Sequence, residues 1–352
     1  MYPFKEGSFA PRNGWYVAAF AQDIGRTLVS RTILNEPVVL YRKENGEAVA
    51  VGGRCPHRHF PLGQSCLSGD TIICGYHGIT FAADGACVDI PAQQHVPRSY
   101  RIPSYPLVEH GLWLWIWMGD AEKADTALLP DLNDIGLTAP DLYPVPLFTD
   151  EVACRYQLLN DNLLDLTHLA FLHSSSIGTI ENARTTEEVT QEPRVLRSRR
   201  YIRNADPTPA IAARGVARGK VDQIVGMDFH LPGLHAGIGD HFQSTDNPDG
   251  WGEPIARSRP YHAVTPSTPH SCYYFFAIST MDPDHAEKSR AFLRPVLDED
   301  IFASVEIEKM IMLCGGNPPE LMLKSDHNAV LGRRMLQAMM DAEVAEAQRS
   351  AA

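Results

Sequence analysis

Nowhere in this chain do apolar residues run on for the roughly 20 positions that a membrane-crossing helix needs. The opening Met1-Tyr-Pro-Phe-Lys-Glu-Gly also lacks the basic-then-apolar pattern of a secretory signal. Both absences point to a soluble, cytoplasmic protein with no membrane partner. Basic charge is scarce as well: 31 Lys and Arg stand against 43 Asp and Glu, a formal net charge of −12. A general nucleic-acid binder needs a basic face to displace phosphate counterions, so that class is excluded. The seven cysteines follow no regular spacing, which argues against a disulfide framework and fits a reducing compartment. Internal repeats are missing too.

What is present suffices for two cores, at 352 residues and 44% hydrophobic content. From about Gly14 to Met118 short β-rich runs (WYVAAF, PVVLYRK, AVAVGG, TIICGYH, ITFA, LWLWIWM) alternate with Gly and Pro, the pattern of an all-β module. The alternation Leu112-Trp-Leu-Trp-Ile-Trp117 predicts a strand with its aromatic residues on one face, packed in a core. A polar, turn-rich connection follows. The expected boundaries are residues 1–120, a linker over 121–146, and a second domain over 147–352. That second domain reads as α+β: a strand at FTDEVACRYQ, a helix from about Asn160 to Leu172, mixed strands including Tyr261–Val264 and Cys272–Ser279, and helices from about Pro295 and Asn328.

Two arms carry chemistry in the first part: Cys55-Pro-His57-Arg58 and Cys74-Gly-Tyr-His77. Each supplies one thiolate and one imidazole. Thiolates from Cys55 and Cys74 on one iron and imidazoles from His57 and His77 on the other make the mixed ligation of a Rieske [2Fe–2S] centre, whose neutral histidines raise the potential. A structural zinc site is the alternative, since Cys₂His₂ suits tetrahedral zinc. Zinc fingers usually pair Cys with Cys and His with His on each arm, and this order differs.

In the second part the run Asn160-Asp-Asn-Leu-Leu-Asp-Leu-Thr-His-Leu-Ala-Phe-Leu-His173 sets Asn162, Asp165 and His168 three residues apart along one helical face. His173 breaks that register. Five residues overshoot one helical turn, so both imidazoles reach one metal only if the helix bulges or ends before His173. Two His and one carboxylate form the facial triad of non-haem Fe(II) oxygenases.

With both motifs in place the chain resembles the oxygenase component of Rieske non-haem iron oxygenases over nearly its whole length. Within that family the opening NGWYVAAF and the run DNLLDLTHLAFLHSSSIG are most similar to the aromatic O-demethylase branch represented by vanillate O-demethylase and dicamba monooxygenase. The resemblance implies an N-terminal all-β Rieske domain and a C-terminal helix-grip domain, an antiparallel sheet around a long helix, assembled as a homotrimer. It implies that His168, His173 and a late Asp hold the mononuclear iron. Asp300 is the best match, with Asp298 and Glu299 as competing carboxylates. Asp165 matches the carboxylate that links an iron-bound His of one subunit to a cluster His of the next, and Asn162 an amide near the iron. His262 matches a residue facing the substrate, while His230, His235 and His241 lie nearby in sequence, and Arg199, Arg200, Arg257 and Arg259 are available to pair with a substrate carboxylate. The loop from Gly237 to Arg257 departs from the vanillate O-demethylase pattern.

By the same resemblance, NAD(P)H electrons pass through a separate flavin and iron–sulfur reductase to the cluster, then to Fe(II) and O₂. A small methoxylated aromatic substrate is O-demethylated. N-demethylation, methyl hydroxylation and ring cis-dihydroxylation use the same centres. A Rieske electron carrier with a ligand-binding domain is the expectation from another class.

Overall fold

The computed structural model of the protein describes residues 3–5, 9–245, 247 and 250–350. Asp246, Pro248 and Asp249, part of the loop expected to depart from vanillate O-demethylase, lie outside them, as do Met1, Tyr2, Glu6 and Gly7 of the opening segment. The chain divides into two units. One comprises Arg12–Leu129 with Thr265–Pro269; the other holds Pro130–Val264 and the chain from His270, and the described residues before Arg12 fall with it.

In the first unit, β-branched and aromatic runs cut by Gly and Pro form short strands: β1 (Trp15–Phe20), β2 (Val29–Ile33), β3 (Glu36–Arg42), β4 (Ala48–Gly52), β5 (Cys66–Ser68), β6 (Thr71–Ile73), β7 (Thr80–Phe81), β8 (Cys87–Asp89), β9 (Leu107–His110) and β10 (Trp113–Trp117). They make three antiparallel sheets, ordered β1-β10-β9, β2-β3-β4 and β5-β6-β7-β8. One core gathers Val39, Tyr41, Val51, Leu62, Ile72 and Phe81 around Cys55 and Cys74. The sequence predicts a single buried aromatic face for β10. Both faces are buried instead, with Trp113 to Trp117 each no more than 2% exposed. β10 is the middle strand of its sheet, and the indole N–H groups of Trp15, Trp115 and Trp117 donate to the carbonyls of Asp125, His110 and Asp120. Each such Trp buries enough surface for about 4–6 kcal/mol of gross hydrophobic stabilisation.

The second unit is built on one seven-stranded antiparallel sheet. In chain order its elements are β11 (Tyr143–Val152), α1 (Tyr156–Leu164), α2 (Ile180–Arg184), β12 (Glu188–Gln191), β13 (Val195–Ala205), α3 (Pro209–Arg214), β14 (Val221–His230), β15 (Leu234–Gln243), β16 (Pro254–Thr268), β17 (Ser271–Thr280), α4 (Ala286–Leu313) and α5 (His327–Ser350). Strands β12 to β17 form a meander, and β11 adds beside β17. Tyr143–Pro146, read from composition as linker, therefore open a strand. One face of the sheet meets helices: α1 packs on β14 and β17 and also against α4 and α5, while α5 reaches β13. This is the α+β arrangement expected, with a sheet around a long helix. α4 spans about 42 Å at 1.5 Å per residue.

Helix bounds differ from the sequence reading in two places. α4 starts at Ala286 and carries Pro295 inside it. Pro295 and Ala291 are both exposed, so the carbonyl that loses its helical partner turns to solvent. The run expected to be helical from Asn160 to Leu172 is in fact two pieces, with the break at Asp165.

Candidate active site

The two cysteine–histidine arms fold as twin turns. In the first, Cys55 N–H donates to the Phe60 carbonyl and His59 N–H returns a bond to the Cys55 carbonyl; in the second, Cys74 N–H donates to Ile79 and Gly78 N–H to Cys74. The fourth residue after each cysteine takes a left-handed conformation, His59 at φ 60° and Gly78 at φ 72°. One β-strand therefore ends at Ile73 rather than continuing to His77. Both thiols are buried, whereas His57 and His77 are exposed with ring centroids 4.6 Å apart. Burial pushes the Cys55 thiol up. The backbone N–H of His57 opposes that by donating toward the sulfur, and the adjacent Cys74 thiol adds to it. Two facing thiols inside, two facing imidazoles outside and amides aimed at sulfur form the donor set of a cluster whose one iron is thiolate-bound and whose other is imidazole-bound.

The second centre begins where α1 ends. Asp165 leaves helical geometry (φ −111°, ψ 89°), and its carboxylate accepts from Thr167 N–H at 2.9 Å, capping a 3₁₀ turn over Leu166–Ala170. His168 sits on that turn. After it the chain wraps around the His173 carbonyl, which accepts from the N–H groups of Ser176, Ile177 and Gly178 at 3.0–3.2 Å. The helix thus stops before His173, and the two rings stand 5.2 Å apart at 73°.

Across from them, α4 buries a stripe of Leu293, Val296, Leu297, Asp300, Ser304, Glu308 and Ile311. At 100° per residue this phase turns Asp300 inward, Glu299 to the side and Asp298 outward. Asp298 pairs with Arg294 at 2.8 Å and its side chain is 61% exposed. Asp300 Oδ1 lies 3.0 Å from His173 Nε2 and 3.6 Å from His168 Nε2. One donor atom from each of the three residues falls within 4.8 Å of the others.

The outer nitrogens of both rings are held. His168 Nδ1 is 2.5 Å from the Asp165 carbonyl, and His173 Nδ1 is 2.6 Å from Glu299 Oε2. With each Nδ1–H donating outward, each Nε2 lone pair would turn to the centre when a metal is bound. A metal needs that tautomer, and an ionised carboxylate opposite. Burial pushes the Asp300 carboxyl up, but the hydrogen bond from His173 and the surrounding imidazoles hold it below its ordinary value. Burial lowers the pKa of His168. For His173 burial is outweighed by Asp300 and Glu299, and its pKa rises. The donors fit a divalent iron with three ligands on one side.

His262 lies beside this trio. Its Nδ1 is 2.5 Å from the Tyr274 hydroxyl, and its ring stacks on Tyr274 and meets Phe276 edge-on. Burial takes its pKa down to about 4 against the opposing pull of Asp300, with His168 and His173 lowering it further, so it is neutral near pH 7. Asn162, on the last turn of α1, keeps a buried Oδ1 with no hydrogen-bond partner among the described residues. His235 has a structural role: its Nε2–H donates to Asn160 Oδ1 at 2.9 Å and its ring stacks on Phe229. Burial lowers the pKa of His230, and that of His241 to about 4.

Sheet register separates the four arginines. Arg199 is bound to Asp228, Arg259 to Asp240 and Arg257 to Asp141, on the side of the sheet away from the trio's helices. These three have their counterions and do not meet a substrate at the site. Only Arg200 shares the face of Phe229 and His235; it is buried, with Nη2 3.1 Å from Glu187. Strand parity sets Arg200 apart from Arg199, a distinction the sequence reading did not draw, and the apolar phase of α4 supports the Asp300 that the resemblance had already picked out. The pairing of Glu299 with His173 Nδ1 had no sequence signal, because the partners are far apart in the chain.

Comparison with known proteins agrees with this geometry. Residues 14–106 match the Rieske [2Fe-2S] domain family, and residues 152–342 match the vanillate O-demethylase oxygenase C-terminal domain. The chain is 33% identical to a putative toluene-4-sulfonate monooxygenase iron-sulfur subunit of Comamonas testosteroni, over 94% of this chain and 97% of that one. It is 30% identical to the dicamba O-demethylase oxygenase component of Stenotrophomonas maltophilia, over 95% and 99%. The crystal structure of dicamba monooxygenase bound to 3,6-dichlorosalicylic acid superimposes with a TM-score of 0.85 at 30% identity, covering 95% of this chain and 98% of that one.

Proposed function

The chain belongs to the Rieske oxygenases whose catalytic domain is of the vanillate O-demethylase type, and from that premise we propose that it O-demethylates a small methoxylated aromatic compound. Its cofactors, a [2Fe–2S] cluster and a non-haem iron, supply electron transfer and O₂ activation when bound, with electrons arriving from a separate NAD(P)H-dependent reductase. Cys55, Cys74, His57 and His77 would hold the cluster, and His168, His173 and Asp300 would hold the iron. The observation that carries the reading is the convergence of those three donors within 4.8 Å beside a neutral His262.

His262 orients the substrate. With Tyr274 donating to Nδ1, the Nε2–H is left to donate to a phenolic or carboxylate oxygen. The stacked Tyr274 and Phe276 give an aromatic ring an apolar wall. Hydroxylation of the methoxy carbon consumes one O₂, two electrons and two protons, releases water, and leaves a hemiacetal that collapses to formaldehyde and a phenol.

Asp165 touches the path between centres. Its carbonyl positions His168, and its carboxylate stands on the same residue, half-buried. In a homotrimer that carboxylate accepts a hydrogen bond from a cluster histidine of the adjacent copy, so the electron crosses between copies. No helix of the described residues is long and apolar enough to cross a membrane, and all seven cysteines are free, in keeping with a cytoplasmic site.

A second reading, hydroxylation of an aromatic methyl group, is favoured by the 33% identity to the toluene-4-sulfonate relative, whose named substrate carries a methyl and no methoxy group. A screen of methoxylated and methylated aromatic acids, following NAD(P)H consumption and formaldehyde together, separates them. O-demethylation gives formaldehyde in step with NAD(P)H; methyl hydroxylation consumes NAD(P)H without it. No oxidation of any aromatic compound overturns both.

A further inference from the structure

The two imidazoles of the trio are held from behind by different chemistry. His168 Nδ1 meets a neutral backbone carbonyl, that of Asp165, whereas His173 Nδ1 meets a carboxylate, Glu299 Oε2, at 2.6 Å. Glu299 is free to do this because α4 turns it 100° from Asp300, beside the ligand that Asp300 faces. The geometry is a closed wedge: one ring, His173, has its inner nitrogen 3.0 Å from Asp300 and its outer nitrogen on the preceding residue of the same helix. The ring itself is 1% exposed, while the Glu299 side chain is 35% exposed. Rotating the ring by half a turn about its bond to the chain would break both contacts at once.

We propose that Glu299 is a positioning residue for the iron. It fixes His173 in the tautomer that offers Nε2 to the metal, and it raises the donor strength of that ring above that of His168. A carboxylate hydrogen-bonded to the far nitrogen gives a ligand imidazole partial anionic character and locks its orientation. α4 then supplies two successive residues with different jobs: Asp300 binds the metal directly, and Glu299 acts through His173. This rests on the reading of His168, His173 and Asp300 as the iron ligands.

The test compares wild-type protein with Glu299→Ala, Glu299→Gln and Asp298→Ala, each as purified holoenzyme. Release of mononuclear Fe(II) to a chromophoric ferrous chelator is followed. The electron paramagnetic resonance line shape of the nitric oxide-treated ferrous protein is recorded alongside. Glu299→Ala should hold Fe(II) roughly 10–100-fold more weakly and show an altered line shape. Glu299→Gln, whose side-chain carbonyl still accepts from Nδ1, should recover most of the affinity. Asp298→Ala, turned outward, should match wild type. The cluster's visible absorption, unchanged throughout, reports that each variant is folded.

Wild-type affinity and line shape in Glu299→Ala overturn the inference, as does a Glu299→Gln protein as weak as Glu299→Ala with no spectral change in either. A wild-type protein that holds no mononuclear iron overturns the metal-centre reading and this inference together, which distinguishes the two failures.

Discussion

Asp300 is one carboxylate in an acidic run of three, and helical phase alone distinguishes it. Its neighbours on the buried stripe of α4 are Val296, Leu297 and Ser304, so its burial is enforced by packing that does not depend on the metal. Asp300→Ala should therefore leave the helix intact, abolish product formation and lower iron from about three to about two atoms per chain, with the cluster spectrum preserved. Metal analysis beside the visible spectrum checks this. Asp298→Ala should keep all the iron, since that side chain only closes an exposed pair with Arg294, worth roughly 0–1 kcal/mol. Loss of iron in the second variant and not in the first would reverse the assignment.

At the scale of elements, the site is made by a helix that stops. A continuous helix from Asn160 to Leu172 would point His168 and His173 in different directions. Asp165 ends α1, a short 3₁₀ turn carries His168, and the wrap around the His173 carbonyl brings the second ring back. Gly178 closes that wrap. A Cβ there would stand 1.7 Å from the Leu169 carbonyl oxygen, next to His168, and backbone cannot yield as a side-chain tip would. Gly178→Ala should cost roughly 1–3 kcal/mol of stability through local strain. It should also reduce mononuclear iron while leaving the cluster filled. Thermal melting and iron content, measured on the same preparation, check both parts; a variant with wild-type iron would show that the wrap does not position the ligands.

Over the whole molecule, buried histidines set the acid limit. His241 and His262 both have pKa values of about 4, against an ordinary 6.5, because burial disfavours the imidazolium; His235 is lowered too, again by burial. The unfolded chain takes up protons at these sites below its own pKa, and the folded chain refuses them at His241 and His262 until near 4. Their contribution is therefore fully present above about pH 6.5 and lost as pH falls from there toward 4. Melting temperature should drop across that window, and His241→Phe, which removes one such group, should flatten the slope. An unchanged slope would remove His241 from the account.

The proposed electron path makes its own demand on the assembly. Asp165→Asn keeps shape and backbone carbonyl but removes the charge. Both metal sites should fill and the reductase should still reduce the cluster, while cluster reoxidation with O₂ and substrate slows severely. A wild-type single-turnover rate would return Asp165 to the capping role seen at Thr167.

Local chemistry was legible from residue order alone. Cys55 with His57 and Cys74 with His77 are two or three residues apart, so the donor set of each arm was legible from spacing, whereas the turn after Ile73 and the meeting of the two arms came with the structure. The β-rich first unit and the need for a break before His173 followed equally from period and spacing, which act over a few residues. Long-range decisions came only with tertiary structure. The register of β13 to β16 put Arg199, Arg257 and Arg259 on one face with their acids and Arg200 on the other. Packing against both faces of β10 buried every residue of it, where alternation had promised one buried side. The docking of α4 against α1, with one stripe inward, selected Asp300 for the centre and placed Glu299 behind His173. The His173 pairings join residues more than a hundred positions apart, and although helical phase marks Asp300 as the inward carboxylate, no local propensity encodes that Glu299 will meet a distant ring.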